Sequence, residues 1–160
     1  MNTLNESIKI YTELLENHDI QTAYKGIMDF FGYLRVSFTK KYPQYEIGSL
    51  YQGYMDMTYF SITTDRLKAK GLKVAIVYLH AQGVFEVWLS ARNRSMAKAF
   101  EPFFSSDVIQ KLNVFHDVEN LDAIVERKIV ECPDFDRQDE LAKLILQETE
   151  RFVIALLDFI

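Results

Sequence analysis

Apolar side chains recur at spacings of three and four over residues 3–16, where Leu4, Ile8, Tyr11 and Leu15 share one stripe; this periodicity predicts a short amphipathic helix. His18 and Asp19 interrupt it. A second stripe, running Ile20, Ala23, Tyr24, Ile27, Phe30, Phe31, Leu34 and Phe38, predicts a longer helix that ends near Lys40 and Lys41, ahead of Pro43. Its aromatic content is what a helix packed on a sheet requires. The period then drops to two. Tyr54 to Thr63, Leu72 to His80 and Val84 to Asn93 are rich in β-branched and aromatic residues and predict three strands of an antiparallel meander. The Ala81-Gln82-Gly83 connection suits a three-residue hairpin whose glycine takes the left-handed conformation. The middle strand, Val74 to Leu79, is apolar on both faces, so helices are expected to cover part of the second face as well.

Beyond the meander, Ser95 is the expected cap of a helix through Met96, Ala97, Ala99, Phe100 and Phe103, and Ser106 that of another. Residues 121–131 fit a helix by spacing. Their β-branched content and the Cys132-Pro133 stop favour a strand, which is the expectation adopted. Asp136 and Asp139 open a last helix carrying Leu141, Leu144, Ile145, Phe152, Ala155, Leu156 and Phe159. The fold class expected is α+β: an N-terminal helical pair, a three-stranded antiparallel meander, a helical connection, a candidate fourth strand and a C-terminal helix. The end of the last helix is apolar nearly all round; if Val153, Leu157 or Ile160 is exposed, a homodimer is expected there.

Composition narrows the class. The 160 residues fit one domain spanning 1–160, and 49% hydrophobic content is ample for a core. The net charge of −5 conceals an asymmetry: residues 1–100 carry 12 basic and 9 acidic side chains, whereas 101–160 carry 6 and 14. That distribution argues against a uniformly basic nucleic-acid footprint. The start of the chain lacks a basic and apolar leader pattern, and the longest apolar run, Phe152 to Leu157, is far shorter than a membrane span, so a cytoplasmic location without membrane partners is expected. Cys132 is the only cysteine, which excludes an internal disulfide and a cysteine-cluster metal site. His18, His80 and His116 form no metal-ligand spacing, and there is no glycine-rich phosphate loop or nucleophile elbow. Accordingly no cofactor, no metal ligand and no catalytic residue is assigned.

The candidate chemistry lies on the third strand. Phe85, Val87, Leu89 and Ala91 fall on one face, and Glu86, Trp88, Ser90 and Arg92 on the other. If Met55, Met57 and Tyr59 face the helices, then Asp56 and Thr58 join Glu86 and Trp88, with Tyr78 or His80 between them. Two strands of separation put those backbones about 9 to 10 Å apart, a span two carboxylates can close around a water or cation. The plainer reading is a pair of carboxylates satisfied by Tyr51, Tyr54, Tyr78 or a basic side chain. The candidate ligand-binding set is therefore Asp56, Tyr78, Glu86, Trp88 and Arg92. At the opposite end of the meander, Arg66, Lys68, Lys70 and Lys73 approach Arg92 and Arg94. Such a patch suits phosphate, RNA or an acidic protein, or else is a solvated loop balancing the acidic last third.

The segments Tyr51-Gln52-Gly53-Tyr54-Met55-Asp56-Met57-Thr58-Tyr59-Phe60 and Phe85-Glu86-Val87-Trp88-Leu89, with Ala23-Tyr24-Lys25-Gly26, resemble a family of small uncharacterised bacterial proteins grouped as a domain of unknown function. The resemblance covers most of the chain and implies a bacterial, cytosolic origin but no activity. At the level of topology alone, the order helix, meander, helix, strand is similar to restriction-endonuclease-type nucleases. Glu86-Val87-Trp88 stands where their Glu-x-Lys would be, with Trp in place of Lys, and the second strand has no Asp. The expected function is non-enzymatic binding of a small polar ligand or a protein partner; the alternative is a divergent or inactive metal-dependent nuclease or hydrolase.

Overall fold

The computed structural model describes residues 1–160. Its helices are α1 (Leu4–Leu14), α2 (Asp19–Lys41), α3 (Asp65–Ala69), α4 (Arg94–Phe100), α5 (Ser106–Leu112) and α6 (Gln138–Phe159). The strands are β1 (Glu46–Ile47), β2 (Met57–Thr63), β3 (Leu72–Leu79), β4 (Val84–Ala91) and β5 (Val125–Val130). The strands form one five-stranded sheet in the order β1-β2-β3-β4-β5, antiparallel throughout. The α+β class and the meander stand as expected. The strand expected within 121–131 forms as β5, and the two-residue edge strand β1 is an addition.

Two long helices, α2 and α6, lie on one face of this sheet. The aromatic stripe of α2 meets it directly: Phe30, Phe31, Leu34 and Phe38 are fully buried, as are Val87 and Leu89 on β4. Phe31 packs edge-on against Phe60 with ring centroids 6.1 Å apart and tilts against Phe85 at 5.8 Å. Hydrogen bonds fix the helices laterally. The Arg35 guanidinium donates to the Gly48 carbonyl from Nε at 3.1 Å and Nη2 at 2.9 Å, and the Tyr33 hydroxyl donates to Asp139 Oδ1 at 2.6 Å. The β3–β4 turn behaves as its sequence demands, with Gly83 at φ +66° and its N–H bonded to the Leu79 carbonyl.

The second face of the sheet is covered differently from expectation. No helix lies over the centre of β3. Ala75 and Val77 are instead buried by Trp88, Ala123 and the half-buried Met57, Tyr59 and Leu79. The chain between α5 and β5 supplies this cover: the Ser90 hydroxyl donates to the Asp122 carbonyl at 2.7 Å, and Ile124 N–H donates to the Leu89 carbonyl at 2.7 Å. Helix α4 is capped by Asn93, whose side chain accepts from Met96 N–H, and not by Ser95. No helix is long and apolar enough to cross a membrane. At the end of α6 Val153 is buried, and Leu157 and Ile160 are half-buried against the core, so the condition set for a homodimer through these side chains is not met.

Candidate functional site

Register decides which side chains can meet. Thr58, Tyr78 and Phe85 are successive partners across β2, β3 and β4, so all three share the helix face. The next row runs Tyr59, Val77, Glu86 and Lys128 on the open face, and the one after it Ser61, Ala75, Trp88 and Glu126. The expected parity of β2 is thereby reversed. Phe60 and Ile62 point to the helices, while Met57 and Tyr59 belong to the face of Glu86 and Trp88. The physical reason is that Phe60 and Ile62 are wholly apolar and fully buried, whereas Tyr59 keeps a hydroxyl that the core cannot satisfy.

Three consequences follow for the candidate residues. Asp56 lies in the turn ahead of β2, exposed, with Oδ1 accepting from Tyr54 N–H at 2.9 Å and its carbonyl accepting from His80 N–H at 3.0 Å. Backbone donors from Tyr54 and Met57 hold its carboxyl below the usual range. Tyr78 is buried on the helix face against Phe85 and Phe135, at centroid distances of 4.9 and 5.6 Å. Glu86 is buried on the open face. Asp56 and Tyr78 are therefore separated from Glu86 by the sheet. The shared cavity expected between Asp56 and Glu86 does not form, and with it goes the ligand pair that the nuclease-like alternative required. No group of three or more His, Cys, Asp or Glu side chains is placed to hold a metal ion.

Both carboxylates at the centre of the open face have internal partners. Glu86 Oε2 accepts from Trp88 Nε1 at 2.8 Å. Glu126 is 1% exposed and accepts from Asn120 Nδ2 at 2.8 Å and Asp117 N–H at 3.2 Å. Burial raises the Glu126 carboxyl, Asn120 and Asp117 N–H oppose the rise, and Glu86 adds to it. On the helix side, the Thr58 hydroxyl donates to the Gln52 carbonyl at 2.6 Å and also lies 2.8 Å from His80 Nε2. The single hydroxyl proton is engaged at Gln52, so His80 Nε2 carries the proton of the second bond. These are satisfied structural groups, the plainer of the two readings for the carboxylates: Asp56 is met by Tyr54, through its backbone N–H, and Glu86 by Trp88, which was not among the partners expected.

What stays open is the other end of the same face. In the row Ser61, Ala75 and Trp88 one large side chain stands beside two small ones, and the shortfall in volume leaves a hollow. It is a cavity of about 180 Å³ bounded by Met57, Tyr59, Lys73, Ala75, Trp88, Ser90, Arg92, Arg94, Leu121 and Asp122, among others. A second hollow, of about 240 Å³, adjoins it and is polar, bounded by Glu46, Ser61, Thr63, Lys68, Gly71, Lys73 and Arg92. Lys73 and Arg92 line both. Neither takes part in any ion pair, whereas Lys68 is paired with Glu46 at 2.7 Å and Arg94 with Asp122 at 3.5 Å. Tyr51 lies against the Tyr59 ring at a centroid distance of 4.9 Å. Burial lifts the Tyr59 phenol above its usual value, with Asp122 and Tyr51 adding to the effect.

Of the five residues picked from sequence, the structure thus brings Trp88 and Arg92 together on one cavity. It gives Glu86 a supporting role beneath Trp88 and places Asp56 and Tyr78 elsewhere. Lys73 was legible only as part of a basic patch. Tyr59, Ser61 and Asp122 were missed, since the parity of β2 and the course of the chain before β5 carry no local sequence signal. Comparison with known proteins identifies a family: residues 4–160 match the family model described as a domain of unknown function, DUF7000, and the chain belongs to that family. No curated protein and no solved structure matches it.

Proposed function

We propose that this chain is a non-enzymatic binding domain that takes a small anionic molecule on the open face of its sheet. The observation that carries this reading is the convergence of two cations without ion-pair partners, Lys73 and Arg92, with the chain's one tryptophan at a cavity floored by an otherwise buried sheet. Concave sites with aromatic walls and a few convergent polar groups are the usual form of small-molecule pockets. Arg92 offers a planar set of donors suited to carboxylate or phosphate oxygens, and Lys73 a mobile point charge. The satisfied state of Glu86 and Glu126 favours binding over acid–base chemistry, because each carboxylate is already engaged by an internal donor.

The test uses Trp88 as the reporter. Intrinsic fluorescence and thermal denaturation are followed across a panel of small carboxylates, sulfonates, phosphate esters and neutral analogues. Anionic members are expected to change Trp88 emission and raise the melting temperature, and Arg92→Ala to abolish both effects while leaving the unliganded melting temperature unchanged. A panel in which charge makes no difference, or in which Arg92→Ala responds like the parent, refutes the reading.

A further inference from the structure

Resting on that reading of the open face, we propose that its ligand class is the nucleoside monophosphates, with the base against Trp88 and Tyr59 and the phosphate between Lys73 and Arg92. Two features of the paired hollows select this class. The first is their division of chemistry. The hollow beside Trp88 carries the aromatic and apolar walls, Met57, Tyr59, Trp88 and Leu121. Its neighbour has a single apolar lining residue, Leu72, and offers the Ser61 hydroxyl instead, while the Thr63 hydroxyl already donates to the Leu72 carbonyl at 3.0 Å. Lys73 and Arg92 stand on the boundary, so a molecule with a flat ring in the aromatic hollow and its charge at the far end meets both cations and reaches into the polar hollow with its anionic group. Every nucleobase offers a π-face to an aromatic wall, which makes such stacking tolerant of base identity.

The second feature is charge. Lys68 is already neutralised by Glu46, and Arg94 leans on Asp122, which leaves the two charges of Lys73 and Arg92 uncompensated. A phosphate monoester carries about −1.5 to −2 at neutral pH and balances both. A single carboxylate leaves one of them unmatched. The Ser61 hydroxyl, which makes no hydrogen bond within the protein, supplies a further donor on the phosphate side. Asp122 at the rim of the aromatic hollow provides an acceptor for an exocyclic amine or a sugar hydroxyl. Taken singly the hollows are smaller than ligand pockets usually are, but joined they enter the range of about 300–1,000 Å³ in which small-molecule sites fall.

The experiment titrates the full chain with each of the four common nucleoside monophosphates, with adenosine and with inorganic phosphate, reading Trp88 emission and, independently, calorimetric heat. At least one monophosphate is expected to bind at least tenfold more tightly than either adenosine or phosphate. Lys73→Met and Arg92→Met, checked for an unchanged melting temperature, are expected to reduce that affinity tenfold or more while leaving weak adenosine binding unaltered. The comparison of monophosphate with adenosine needs no variant and decides the matter even if a variant misfolds. Adenosine binding as tightly as its monophosphate, or variants without effect on monophosphate affinity, overturns the inference. So does silence from all four monophosphates. In that last case an Arg92-dependent response to small carboxylates leaves the broader anion-binding reading intact, whereas no response to any anion removes both.

Discussion

Trp88 Nε1 donates to Glu86 Oε2 over 2.8 Å, between two side chains one strand repeat apart on the same face of β4. The indole is thereby held by a buried carboxylate, and the Trp88 side chain lines the cavity that Lys73 and Arg92 border. On the proposed reading of the open face, Glu86 positions Trp88 and does not itself touch a ligand.

Replacing Glu86 with Ala leaves a buried indole N–H without an acceptor and is expected to cost about 1–3 kcal/mol. Glu86→Gln retains a carbonyl oxygen for that bond and is expected to cost less. Chemical denaturation of the two variants checks the order. Equal losses would mean that the hydrogen bond to Trp88 is not what Glu86 contributes.

Phe31 and Leu89 are both fully buried. Phe31→Ala removes a ring packed on Phe60 and Phe85 and is expected to cost about 3–5 kcal/mol, and Leu89→Ala about 2–5 kcal/mol. Denaturant titration showing less than about 1 kcal/mol for both variants would contradict the packing of α2 on the meander.

That packing was legible because it rests on local periodicity. Phe30, Phe31, Leu34 and Phe38 recur as a helix stripe, and Phe85, Val87 and Leu89 alternate as a strand, so each segment declares its buried face alone. The open-face site was only half legible. Trp88 and Arg92 share the parity of one strand and were placed correctly relative to each other. The face of β2 was not: Met57 and Tyr59 compete with Phe60 and Ile62 for the core, and only three-dimensional packing settles which pair enters. Strand β1, with two residues, is too short to leave a pattern, and the segment that seals Glu126 follows from tertiary hydrogen bonds through Asp117, Asn120 and Asp122.

His80 makes the fold sensitive to acid. Burial pushes its imidazole below the usual value, and the nearby Asp56 opposes this only in part. Between the lowered value and the ordinary pKa of about 6.5 the unfolded chain binds more protons than the folded one, so stability rises with pH through that window and is lost as pH falls. Urea denaturation on either side of the window is expected to show this slope in the parent and a reduced one in His80→Asn. An unaltered slope in the variant would assign the effect to another group.

Glu126 works in the opposite sense. Its folded carboxyl is raised, chiefly by burial, so between the ordinary Glu value of about 4.3 and the raised one the folded state holds more protons and stability falls as pH rises. Glu126→Gln removes the titrating group and is expected to flatten that descent, measured by denaturation across the acid range. A descent of the same steepness in Glu126→Gln would show that this carboxylate is not its source.

Binding of a small anion on the open face around Trp88 can be read residue by residue in heteronuclear NMR of the nitrogen-labelled full chain titrated with adenosine monophosphate and, separately, with citrate. Saturable shifts are expected in the Trp88 indole N–H and in the amides of Lys73, Ser90 and Arg92, with Tyr78 and the α2 core unmoved. Saturable shifts confined to the helix side, or an indole resonance that stays in place with both anions at saturating concentration, would contradict it.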